Sequence, residues 1–243
     1  ALLFVAACAQ PEDVPEPPPE LSPIEHLLDV SLEARRAYFD HLLKVEATEL
    51  ERIVEARERL SKEAREDLAR RGDIGVAAAR TVIEQHPERV EGHLYLAANL
   101  GVVAAGKGNA AALFGGIPGK MRKAYERALE IDREYDSAGA LRIKGSFLGE
   151  APWPVGDAKE ALEALTEAVK IAPVAENHLM LGDLHFRQGQ QDEAVACWHA
   201  AVETREKGVS WRVDGRVRDL ARKRLAISSP RAPGGEPTSL EPQ

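Results

Sequence analysis

Arg142 and Asn177 are candidate donors for an anionic ligand. A guanidinium fork meets a carboxylate through two parallel hydrogen bonds, and the amide adds a further donor. The opposing reading keeps Arg142 on a solvated face, paired with a neighbouring glutamate. Other groupings that could do chemistry fail on residue type or spacing. Gly101-Val-Val-Ala-Ala-Gly106-Lys107-Gly108 has the glycines and lysine of a phosphate-cradling loop, but glycine stands where a Ser or Thr must hold magnesium. The segment before it, HLYLAANLGVVAA, reads as helix where a strand is required. Seven histidines (His26, His41, His86, His93, His178, His185, His199) form no ligand-spaced cluster. There is no nucleophile elbow and no Cys–His pair, and no carboxylate pair stands out where 30% of residues are charged. The expectation is a protein without catalysis, metal or cofactor.

The elements that position these residues repeat along the chain. Glu176–Glu203 carries Leu181-Gly182, His185, Gly189, Ala194, Trp198 and Ala201 at the spacing of a tetratricopeptide (TPR) helix–turn–helix, which it resembles. Small residues at 182, 194 and 201 let paired helices approach, Gly189 suits the turn, and Trp198 is the wedge between helices. His185 takes an aromatic position of the repeat, which makes packing its default role. Thirty-three residues earlier lie Gly156, Ala161, Leu165 and Ala168, with Pro173 ending the helix and Asp157–Glu160 capping its start. Ala124–Asp132 and Ala77–Pro87 repeat the second-helix pattern. Four such helices in order predict an all-α fold: a TPR-like solenoid of helical hairpins over 23–227, with repeats at roughly 56–87, 88–133, 134–173 and 174–206. Residues 23–71 read as helices too, opened by Ser22-Pro23 and by a capping box at Thr48–Glu51.

The repeats are unevenly spaced. Ala128 to Ala168 is 40 residues and Val82 to Ala128 is 46. The excess falls at 145–156 and 105–119, and insertions in solenoids commonly map to loops on one binding face. Phe114, Phe147 and Trp153 lie in these insertions, where they suit a lid, a pocket wall or plain packing. In a TPR hairpin the first helix lines the concave side, which places Glu176, Leu179, Asp183, Phe186 and Arg187 inward. That lining suits a small carboxylate or a peptide segment equally.

The two ends differ from the middle. Ala1-Leu-Leu-Phe-Val-Ala-Ala-Cys8 resembles the apolar end and lipobox of a bacterial lipoprotein signal (residues 1–8), with no initiator Met or basic segment before it. That resemblance implies that Cys8 carries acyl chains such as palmitate. Ala9 in place of Asp favours the outer membrane by analogy. Residues 9–22 hold five prolines and four acids, a composition that cannot offset its ordering entropy, so they should form an extended spacer of about 40 Å. Residues 228–243 are a similar disordered tail. Only Cys197 then remains free, and no disulfide is expected. The net charge of −8 argues against nucleic acid; the basic run Arg216–Arg224 suits a helix end.

A longer resemblance covers about residues 93–203. Its markers are Gly115-Gly-Ile-Pro-Gly119, Ala128-Leu-Glu-Ile-Asp132, Ala138-Gly-Ala-Leu-Arg142-Ile-Lys-Gly145, Pro152-Trp-Pro154-Val-Gly156-Asp157, Ala168–Pro173 and Asn177–Gly182. Together they are similar to the TPR-containing lipoproteins that form the T component of tripartite ATP-independent periplasmic (TRAP) transporters. The resemblance implies a lipid-anchored periplasmic protein with a ligand-accessible cavity or pore, partnered by the transporter's solute-binding protein. The expected function is thus docking of that subunit, and of solute, from a membrane-tethered position. The rival expectation is a general scaffold for envelope or secretion assembly, with a peptide-binding concave face and no internal cavity. Self-association into a homo-oligomer stays open.

Overall fold

The computed structural model describes residues 21–46, 56–152, 154–207 and 213–228. Cys8, the Thr48–Glu51 cap, Trp153 and the C-terminal tail from residue 229 lie outside the described residues. Helices start where the chain supplies a cap. Ser22 Oγ accepts from the Glu25 N–H at 3.3 Å while Glu25 Oε2 accepts from the Ser22 N–H at 3.0 Å, opening α1 (Pro23–Leu43). After a 3₁₀ turn at Ala56–Arg59, Ser61 Oγ accepts from the Ala64 N–H to start α2 (Lys62–Gln85). There follow α3 (Val90–Lys107), the short α4 (Asn109–Phe114), α5 (Ile117–Ile131) and α6 (Tyr135–Glu150). Asp157 caps α7 (Ala158–Ile171) by accepting from the Glu160 N–H at 2.9 Å, and α8 (Ala175–Arg187), α9 (Gln191–Glu203) and α10 (Asp214–Ser228) complete the order. The described residues contain no strand.

Consecutive helices pack as hairpins, and every second helix also touches its counterpart in the next hairpin: α3 meets α6, α6 meets α8, and α8 meets α10. That layer is the tighter, inner one; α2, α5, α7 and α9 form the outer one. Small residues set the spacing. A Cβ on Gly182 would stand 2.7 Å from the Trp198 ring, and Trp198, Ala194 and Ala201 are fully buried.

Two expectations change. Segment 56–87 is not a hairpin of its own, because α2 runs unbroken from 62 to 85. Gly72 and Gly75 sit inside it without breaking it and instead let α3 come close; a Cβ at 72 would lie 2.8 Å from Val103 N. The insertions are also largely helical: residues 145–150 lengthen α6, and 109–114 form α4. In the insertion at 145–156 the described residues 151–152 and 154–156 are not helical.

The remaining helix, α1, touches α2, α3 and α10, so it bridges the first and last hairpins. Arg216 grips Asp40 at 3.1 Å, and Lys223 donates to Leu43 O at 3.0 Å. The basic run of α10 is engaged inside the molecule: Arg218 bonds Thr204 O, Arg222 pairs with Asp219, and Arg224 with Asp183.

Candidate functional site

Between α1 and the inner helices lies a cavity of about 680 Å³. Its wall is mostly apolar: Leu28, Leu32 and Tyr38 from α1, Leu94 and Val102 from α3, Met121 from α5, Ile143 and Phe147 from α6, and Met180 from α8. Burial pushes the Tyr38 phenol up to about 12, so it stays neutral. The lining reaches the surface at Ala110, Leu113, Pro152 and Pro154, all exposed. The two insertions therefore meet at the rim of one cavity. Arg57 and Arg187 both reach Glu150 close by, at 2.6 and 3.9 Å.

A polar cluster forms another part of the wall. Arg35 of α1 contacts Asp136 at 3.1 Å and Glu176 through Nε at 3.2 Å. Arg142 of α6 contacts the same Asp136 oxygen at 3.1 Å, Glu176 Oε1 at 3.5 Å and Asn177 Oδ1 at 2.9 Å. Asn177 donates in turn to the carbonyls of Ser137, Ala168 and Ala172, tying α6, α7 and α8 together. All of these polar side chains but Arg35 are buried, and Arg35 is only 16% exposed in its side chain. Burial by itself would raise the Glu176 carboxyl, but the charges of Arg142 and Arg35 hold it below its ordinary value.

The backbone beneath the cluster is strained. Asp136, Ser137 and Ala138 carry φ of 50°, 56° and 60°, a left-handed run of three non-glycine residues. Such residues cost on the order of 1–3 kcal/mol each and persist only where the surroundings fix them. Here Arg142 Nη1 donates to Ser137 O at 3.3 Å and Asn177 donates to it at 3.0 Å, while Asp136 is held by both arginines.

Of the side chains named from the sequence, Arg142, Phe147 and Glu176 line the cavity. Asn177 stands just behind it. Leu179 is core, and Asp183 accepts from Arg224 and from Trp198 Nε1 at 2.9 Å. Burial raises the Asp183 carboxyl despite the Arg224 charge beside it. Phe186 packs on the Trp198 ring with centroids 6.0 Å apart. Phe114 is 91% exposed. Arg142 is neither on a solvated face nor available as an anion fork, since its donors are engaged inside the protein. Sequence reasoning missed Arg35 and Asp136. Arg35 follows an ordinary helical pattern, EARRAYF, and its partners are 101 and 141 residues away. His178 is half-buried, and burial lowers its ring. Burial likewise raises the Cys197 thiol. Among the described residues no group of three His, Cys, Asp or Glu side chains could hold a metal.

No family model matches the chain, and no curated protein matches it. Solved structures do. The crystal structure of TTC0263, a thermophilic TPR protein in Thermus thermophilus, superposes with a TM-score of 0.50 at 18% identity, covering 73% of this chain and 91% of that one. The crystal structure of MamA gives a TM-score of 0.40 at 19% identity, over 65% of this chain and 86% of that one. With the hairpin order above, the first likeness makes this an all-α, TPR-like helical solenoid.

Proposed function

We propose that this chain is a non-catalytic, lipid-anchored periplasmic binding protein that takes an apolar solute into its cavity and docks the solute-binding subunit of a TRAP-type transporter. The observation that carries the reading is the cavity itself. Its 680 Å³ falls within the roughly 300–1,000 Å³ of small-molecule sites, and its apolar wall has a few fixed polar groups. The cluster of Arg35, Arg142, Asp136 and Glu176 balances two cations against two carboxylates, so it calls for no charged ligand. The general-scaffold reading expects an open concave face and no cavity, whereas here α1 of the chain itself packs against the inner helix α3 and reaches across to α10. The Cys8 anchor, outer-membrane placement and TRAP partnership rest on the resemblances in the sequence.

Mild cross-linking in intact membranes, followed by purification, tests the partnership. Recovery of a periplasmic solute-binding protein is expected. Recovery of envelope-assembly proteins in its place would sink the transporter reading. Cys8→Ser is expected to make the protein extractable from the membrane by high salt, while the acylated parent stays bound, since stable anchoring needs the acyl chains.

A further inference from the structure

Phe114 and Leu113 are the two most exposed large apolar side chains of the described residues, at 91% and 56%. Both stand on α4, between Gly108 and Gly116, whose φ of 81° and 66° turn the chain sharply at either end. Ala110 and Ala111 beside them are exposed as well. An apolar tip of this kind marks a contact with something that covers it.

Its surroundings are cationic, in a chain of net charge −8. From Gly92 to Tyr125 there is no Asp or Glu, while Lys107, Lys120, Arg122 and Lys123 flank α4 in sequence. Lys120 donates to Gly115 O at 3.0 Å, which fixes one charge against the tip. Lys107 reaches Asp73 at 3.3 Å and Arg122 reaches Glu126 at 3.9 Å, both exposed pairs that a stronger anionic field displaces at little cost. Leu113 and Ala110 also belong to the exposed rim of the cavity. An aromatic tip flanked in sequence by lysines on both sides fits an anionic bilayer better than a protein surface, because protein interfaces are depleted in lysine while anionic lipid attracts it.

We propose that α4 docks the cavity rim onto an anionic membrane. Phe114 and Leu113 enter the acyl region, the four cations meet headgroups, and an apolar solute passes between bilayer and cavity without crossing water. The proposal rests on the reading of the cavity as an apolar-solute site.

The test uses the full chain with Cys8→Ser, so that no acyl group contributes, and vesicles containing phosphatidylglycerol against pure phosphatidylcholine. Binding is expected to favour the anionic vesicles. The double change Leu113→Ser/Phe114→Ser is expected to weaken it by about ten-fold or more. Lys120→Gln and Lys123→Gln should each cost about five-fold. Phe114→Trp is expected to be quenched by brominated acyl chains. Uptake of diphenylhexatriene in vesicle-free buffer, measured on Phe114→Ser alone and on the two lysine variants, whose changed residues do not line the cavity, reports the cavity separately and is expected to survive in all three. Vesicle binding that the tip substitutions leave unchanged overturns the docking. So does a tip change that abolishes binding to a purified solute-binding protein while the parent ignores vesicles. In both cases retained diphenylhexatriene uptake keeps the cavity reading standing; its absence from the parent overturns that reading.

Discussion

Glu176 shows how much of the site's order depends on single groups. It answers Arg35 and Arg142 together, so Glu176→Gln removes a carboxylate from both of these cations at once. Breaking a buried pair by removing one partner costs about 3–5 kcal/mol, and a loss of that order in urea unfolding is expected. The same group sets a pH dependence. Its folded value lies below the usual 4.5, so its contribution is complete above pH 4.5 and is lost as pH falls through the folded value. Asp183 and Asp214 are displaced upward from 3.8 by burial, against the nearby arginine charges, and act with the opposite sign just above that value. The parent is therefore expected to lose stability in acid more steeply than Glu176→Gln, with the two urea midpoints converging at low pH. Glu176 was legible in the sequence because its inner-helix position follows from the repeat pattern, whereas Arg142 and Asn177 were read as anion donors and instead bond within the protein. Asp136 was not legible: it arrives on a left-handed turn made of residues that disfavour it, and no local signal announces one.

At the scale of elements, what could be read was what is local. The caps at Ser22 and Asp157 and the small-residue second helices appear where their sequence places them, because each depends on neighbours within a few positions. Residues 62–85 escaped that logic. Gly72 and Gly75 there serve helix contact, and only the partner α3 reveals it. The same contact gives a paired prediction. A Cβ at Gly106 would stand 2.5 Å from Ala69 N and 2.6 Å from Arg65 O, backbone atoms that cannot yield, so Gly106→Ala should destabilise by about 1–3 kcal/mol. A Cβ at Gly119 in α5 would meet nothing within 4 Å, and Gly119→Ala should be neutral or gain up to about 1 kcal/mol. Thermal unfolding of the two variants side by side checks both directions.

For the whole molecule, the decisive feature is that α1 spans the solenoid's own inner side and leaves a cavity that opens at a rim. Nothing in residues 23–43 distinguishes a helix that caps a solenoid from one that spans its inner side; the choice follows from Arg35 reaching α6 and α8 and from Asp40 reaching α10. The insertions were legible as a feature of one face, and they do meet at the rim, but the volume behind them was not. The central claim is that this volume takes an apolar molecule. Ala98 lines it from α3, so Ala98→Trp should fill much of the space. Titration of the parent and this variant with diphenylhexatriene, followed by fluorescence and native mass spectrometry, is the most direct test. Saturable one-to-one uptake by the parent, lost in a variant that unfolds as cooperatively as the parent, is the predicted result. No uptake by the parent, or equal uptake by Ala98→Trp, would contradict it.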